Sequence, residues 1–150
     1  MRLWHQALIP YLDNKRLLGQ HRECCALRGK GWGKKHSVVD YVFKYDLSHL
    51  YEYHLLVIHE MAKRNYVSDA NWYFRTYRGK SLSSATLAEV GTYVPLVGPE
   101  SFWSTKFMIY PEHNCKYLRE CLLNLKAKGA QLVNGKTVEE FLIDLDLKGV

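Results

Sequence analysis

The spacing of apolar residues divides the chain into helical stretches and stretches with no period. Leu17, Leu18, His21, Cys24 and Cys25 fall on one stripe at 100° per residue, which predicts a helix over residues 14–28. Asp13 or Asn14 can cap its start, and the glycines from Gly29 to Gly33 stop it. A cleaner 3.6-residue period, through Leu47, Leu50, Tyr51, His54, Leu55, Ile58, Met61 and Ala62, predicts a second helix over 47–65. Lys63 and Arg64 suit its C-terminal end, where cations meet the helix dipole. A third helix is expected over 112–128, burying Leu118, Cys121, Leu122 and Leu125 and ending at Gly129. A fourth starts at a capping box, Thr137 with Glu140 three residues on, and carries Val138, Phe141, Leu142 and Leu145. Residues 66–110, rich in aromatic residues and broken by Gly91, Pro95, Gly98 and Pro99, predict an irregular insert with a short helix near 82–90. The expected fold is mainly α, a compact single-domain bundle of three to four main helices spanning residues 1–150.

Composition narrows the class. A chain of 150 residues, 47% hydrophobic and 24% charged, can bury a core without metal or disulfide staples. No run approaches the roughly 20 apolar residues of a membrane helix, and no apolar stretch follows Arg2, Trp4 and His5 as a secretory signal would require. The expectation is a soluble, cytoplasmic monomer. Cys24, Cys25, Cys115 and Cys121 form no C-x-x-C pair, so reduced thiols are expected rather than a zinc site.

Charge changes the picture further. Residues 1–36 hold eight Lys/Arg against Asp13 and Glu23, while residues 37–150 balance, so the whole excess of +6 sits in the first quarter. A basic face of that kind concentrates polyanions. Within it, Arg28 to His36 (RGKGWGKKH) places cations around Trp32. Its lysines suit phosphates and an exposed indole can stack on a base; the alternative is a surface loop with Trp32 folded into the core.

Arg22-Glu23 lies in the middle of the first helix. The same-face neighbours of Glu23 are Gly19 and Ala26, which predicts a shallow groove with a carboxylate on its floor and Arg16 and Arg22 at its sides. A solvent-exposed glutamate paired with Arg16 or Arg22 is the plainer alternative. His54, His59 and Glu60 lack the second histidine of H-E-x-x-H, and the two histidines point about 140° apart, so neither a metal nor another cofactor is expected. The cluster from Trp72 to Lys80 fits either nucleic-acid stacking or a packed loop.

These residues bring in a family. The frame Leu8-Ile9, Leu12, Leu17-Leu18 and Arg22-Glu23 resembles the pyrimidine-dimer DNA glycosylase/AP lyases of the phage endonuclease V type. Met1-Arg2-Leu3-Trp4 and Tyr11-Leu12-Asp13 resemble the bacterial branch, and Met61-Ala62-Lys63-Arg64-Asn65-Tyr66 and Tyr110-Pro111-Glu112-His113 extend the likeness more faintly. The resemblance implies an all-α domain whose nucleophile is its own α-amine. That amine attacks C1′ of the damaged nucleotide, forms an imine and permits β-elimination of the 3′ phosphate. An α-amine suits this task, since at a pKa of about 7.7–8.0 roughly a tenth is neutral at pH 7.

Carried over, the resemblance makes Met1 the nucleophile, Glu23 the proton shuttle and electrostatic partner, and Arg22 a phosphate holder. Arg2, Arg16, Arg28, Lys30, Trp32, Lys34 and Lys35 would grip damaged double-stranded DNA, with Trp32 as a wedge that helps extrude the nucleotide. Two departures stand out. Phage-type enzymes carry a small second residue where this chain has Arg2, which would keep Met1 in place; they carry an arginine where it has Ala26. A non-catalytic nucleic-acid-binding module of the same fold is the first alternative. A protein-interaction domain docking through residues 66–110 is the second.

Overall fold

The structure is a computed structural model that describes residues 2–34, 38–97 and 107–149. These residues are mainly helical, as the periodicity predicts. Five α-helices occur in order: α1 (Asn14–Arg28), α2 (Leu47–Lys63), α3 (Leu87–Val90), α4 (Cys115–Ala127) and α5 (Val138–Leu147). Short 3-10 helices span Gln6–Tyr11, Asp40–Lys44 and Ala70–Tyr73. The sequence predicts no strand, yet β1 (Leu96–Val97) pairs antiparallel with β2 (Phe107–Met108) inside the irregular insert. Two residues each are too few to print a period of two. No helix among the described residues is long and apolar enough to cross a membrane.

The contacts sort into two compact units: Met1–Leu3 with Leu18–Pro95, and Trp4–Leu17 with Leu96–Val150. In the first, α2 buries Leu47, Leu50, Tyr53, His54, Val57, Ile58 and Met61; the buried face is rotated from the predicted stripe, leaving Tyr51 and Leu55 half-buried and Ala62 exposed. The α2 N-cap, Asp46, turns its carboxylate outward to accept from Thr92 N at 3.0 Å. Gly91 makes that approach possible: its φ is +71°, and a Cβ there would collide with the Asp46 side chain. At the other end Arg64 Nε donates to Glu60 Oε2 at 2.9 Å.

In the second unit α4 and α5 pack through Leu118, Cys121, Leu122 and Leu125 against Val138, Phe141 and Leu145, all buried. Asn114 caps α4 by accepting from Tyr117 N, and Thr137 caps α5 by accepting from Glu140 N. Leu8, Ile9 and Leu12 are buried here, and Gln6 and His113 tie the segment down: Gln6 N donates to His113 Nδ1 and Ile109 N donates to Gln6 Oε1, each at 3.0 Å.

Helix α1 has the predicted ends but a different buried face. Leu17, Gln20, Cys24, Leu27 and Arg28 are buried, whereas Leu18, His21 and Cys25 are only half-buried. The stripe is rotated toward a glutamine and an arginine. Both are paid for by specific partners.

Candidate functional site

Arg28 ends α1 and is 1% exposed. Its Nη1 donates to the Trp72 carbonyl at 2.9 Å and sits 2.9 Å from His54 Nδ1. Its Nη2 donates to the carbonyls of Phe74 (2.8 Å) and Tyr77 (3.3 Å). The guanidinium also lies over the Trp72 and Tyr51 rings, 4.9 and 5.2 Å from their centroids. Arg78 completes the junction, donating to the carbonyls of Arg28 at 3.0 Å and Gly29 at 2.9 Å, at and just past the C-terminal end of the helix. The expected phosphate contact by Arg28 is therefore corrected: its fork is directed inward, where it moulds the 72–77 turn. That turn leaves Tyr73, 41% exposed, and Phe74, 63% exposed, on the surface.

Arginine only donates, so Arg28 decides the tautomers beyond it. His54 Nδ1 must accept, which puts the His54 proton on Nε2, 2.8 Å from His21 Nδ1. His21 then accepts at Nδ1 and carries its own proton on Nε2. Burial, then Arg28 and His21, hold the His54 pKa well below the ordinary histidine value. His21 is lowered too, by burial first and then by Arg22 and Arg28. Cys25 Sγ lies 3.7–3.9 Å from the ring nitrogens, with its pKa pushed up to about 12 chiefly by burial.

His21, Cys25 and His54 place three donor atoms within 4.8 Å of one another, a cluster the sequence comparison of His54 with His59 misses. By donor type such a set suits a zinc-like ion. Coordination through His54 Nε2 would, however, move its proton to Nδ1, against the N–H of Arg28. A metal ligand's second nitrogen normally faces an acceptor. Arg28 therefore orders the protons of this cluster and opposes coordination through His54 Nε2.

Glu23, half-buried, belongs to a second network. Its Oε2 accepts from the main-chain N–H of Arg2 at 3.0 Å, rather than forming the plainer ion pair with Arg16. The Arg2 carbonyl accepts from Gln20 Nε2 at 2.9 Å, and Gln20 Oε1 accepts from the Tyr53 hydroxyl at 2.9 Å. Arg2 thus lies against Glu23, and among the described residues a Cβ at Gly19 would meet only the Arg22 guanidinium, at 3.8 Å.

The remaining expected residues are dispersed. Arg22, Ala26, Lys30 and Lys34 are exposed, and Arg2 is half-buried. Arg16 is held by Asp13, 2.8 Å from Nη1. Trp32 is half-buried, edge-on to Phe43 of the 3-10 helix Asp40–Lys44 with ring centroids 5.1 Å apart, so the indole packs against that helix. Met1 and Lys35 lie outside the described residues.

A family model described as pyrimidine dimer DNA glycosylase matches residues 1–74. The matched stretch contains Arg2, Gln20, Arg22, Glu23, Arg28, Tyr53, His54 and Trp72, and it supports the family relation over that part of the chain. Neither the comparison with curated proteins nor that with solved structures gives a match.

Proposed function

We propose that the protein is a DNA-repair glycosylase/AP lyase that cleaves damaged duplex DNA, at a pyrimidine dimer or an abasic site, through an imine on its own N-terminal amine. The observation that supports this reading is the 3.0 Å contact between the Arg2 nitrogen and the Glu23 carboxylate, one residue along the chain from Met1. The family match over residues 1–74 supplies the substrate class.

In this reading the neutral α-amine of Met1 attacks C1′. At a dimer the bond from C1′ to the base breaks with its electron pair leaving on the base, and the nitrogen gives up one proton. The C1′–O4′ bond then opens, O4′ taking up a proton, as the iminium forms. At an abasic site the amine adds to the C1′ aldehyde and water leaves. Loss of a C2′ proton then expels the 3′ phosphate. Glu23 is the carboxylate that stabilises positive charge at C1′ and exchanges these protons. One residue of chain spans about 3.5 Å, so an amine on Met1 stays within a short arm of the anchored Arg2 nitrogen. Arg22, Lys30 and Lys34, all exposed, suit phosphates. With Trp32 packed on Phe43, the exposed Phe74 is the aromatic this reading takes as the wedge into a distorted duplex.

The experiment is borohydride trapping on a duplex carrying one abasic site, followed by peptide mass. An adduct on the N-terminal peptide establishes the imine, and its mass says whether the reacting amine belongs to Met1 or, after removal of Met1, to Arg2. Glu23→Gln is expected to slow trapping about 100-fold or more while leaving duplex affinity unchanged. Trapping by Glu23→Gln at the unmutated rate removes Glu23 from the chemistry. The exposed Ala26, where phage-type sequences carry arginine, favours a second reading, a non-catalytic DNA-binding module. Salt-dependent binding with no adduct identifies it.

A further inference from the structure

Residue 20 lies on the buried stripe of α1, between Leu17 and Cys24, where helical spacing would place an aliphatic side chain. It is instead a glutamine, 2% exposed, and both ends of its amide are engaged. The Arg2 carbonyl can only accept, so it selects Nε2; Oε1 then receives the hydroxyl proton of Tyr53, a residue with no exposure at all. A buried amide and a buried phenol are costly unless their polar atoms are satisfied, and a Gln side chain loses more rotamer freedom on ordering than an aliphatic one. The element they hold is the one that would otherwise fray, the first residues of the chain. The peptide of Arg2 is consequently gripped on both sides, by Glu23 at its N–H and by Gln20 at its carbonyl.

We infer that Gln20 and Tyr53 are positioning residues for the amine step: a buried clamp that runs from α2 through α1 to the Arg2 carbonyl and holds the start of the chain over Glu23. This rests on the glycosylase reading above. Among the described residues the clamp is built from Tyr53 to Gln20 and from Gln20 to the Arg2 carbonyl. It acts by limiting where the amine can be, and a displacement of about 1 Å in a reacting group costs on the order of 100-fold in rate.

Two variants test it. Gln20→Met keeps the length of the side chain and removes both amide contacts; Tyr53→Phe keeps the ring and removes only the hydroxyl that orders Gln20. Each is assayed for borohydride trapping at saturating abasic duplex, for duplex affinity, and for hydrogen exchange at the Arg2 amide, well below its own melting temperature. The expected result is a trapping rate lowered about 10- to 100-fold in Gln20→Met and less in Tyr53→Phe, with affinity within about twofold and the Arg2 amide exchanging faster. A purely structural role would lower the melting temperature without moving the trapping rate of the folded protein. Should Gln20→Met fail to fold, Tyr53→Phe decides alone. Trapping at the unmutated rate by the folded variants overturns the clamp and leaves the glycosylase reading intact. Absence of trapping by the unmutated protein, with binding retained, overturns both.

Discussion

Helices α1 and α4 are of similar length and are built on opposite principles. In α4 the residues that spacing marks as apolar are the residues that are buried: Leu118, Cys121, Leu122 and Leu125. On its other faces Arg119 reaches Asp146 of α5 at 2.8 Å. Helix α1 buries Gln20 and Arg28 along with its leucines. Each has its polar atoms turned toward a named acceptor or donor rather than toward water. A helix like α4 needs only a partner of the right shape. A helix like α1 needs particular groups at particular angles, and satisfied buried networks of this kind fix one arrangement far more sharply than aliphatic packing does. The carboxylate proposed for the chemistry sits on the helix of the second kind.

The largest effect is expected where the two principles are exchanged. Arg28→Met leaves the carbonyls of Trp72, Phe74 and Tyr77 without their donor and should cost about 3–5 kcal/mol in urea unfolding. Leu122→Ala in α4 falls in an overlapping range, about 2–5 kcal/mol, through lost burial and a cavity. Their signatures separate them. Only Arg28→Met frees His54 Nδ1 to carry the proton, which imidazole nitrogen chemical shifts read directly. A cost below about 1 kcal/mol for Arg28→Met would mean that the 72–77 turn stands without it and that the contrast between the helices has no energetic content.

Acid should erode both regions. Burial lowers the His5 pKa from 6.5 to about 4. Between those values the unfolded chain binds a proton that the folded one refuses, so stability is full above about pH 6.5 and falls as pH drops toward 4. His5 alone accounts for a loss of about 3 kcal/mol across that window. His113, lowered by burial and then by His5, acts in the same direction, as does His54. The comparison sharpens at His54, where Arg28 adds repulsion to the burial term: Arg28→Met should reduce the acid sensitivity due to His54, while that due to His5 persists. Urea midpoints at pH 7.5 and 4.5 for both proteins check this.

The parts of the fold that were legible in the sequence are those that spacing and capping govern. The ends of α1 coincide with the predicted 14–28, α2 starts where its period starts, and the capping box at Thr137 opens α5. Glu23 was legible as a carboxylate on a basic helix. What spacing does not record is a partner far away along the chain. Arg28 looks like one more surface cation until the carbonyls 44 to 49 residues downstream are placed around it. Gln20 looks like a polar interruption until Tyr53, 33 residues on, points its hydroxyl at it. Likewise spacing sets His54 beside His59 on its own helix, whereas its neighbour is His21 on another. The polar residues of α1 were readable as types and not as contacts.

The smallest effect tests the same helix against itself. Arg16 and Arg28 both belong to α1, and both make short polar contacts, but their surroundings differ. The Arg16 side chain is 22% exposed and its partner Asp13 is 30% exposed, with Nη1 and Oδ2 2.8 Å apart. Water screens such a pair, and ordering two side chains costs entropy, so the coupling energy in a double-mutant cycle of Arg16→Ala with Asp13→Ala should be about 0.2–1 kcal/mol. Asp13→Ala alone should cost somewhat more, about 1 kcal/mol, because Asp13 Oδ1 also accepts from Arg16 N at 3.0 Å and so caps the helix. A coupling as large as the loss from Arg28→Met would show that burial is not what separates the two arginines. A small coupling beside a large Arg28 effect locates the stabilising electrostatics of α1 at its buried end, where the fork of Arg28 holds the turn that presents Tyr73 and Phe74.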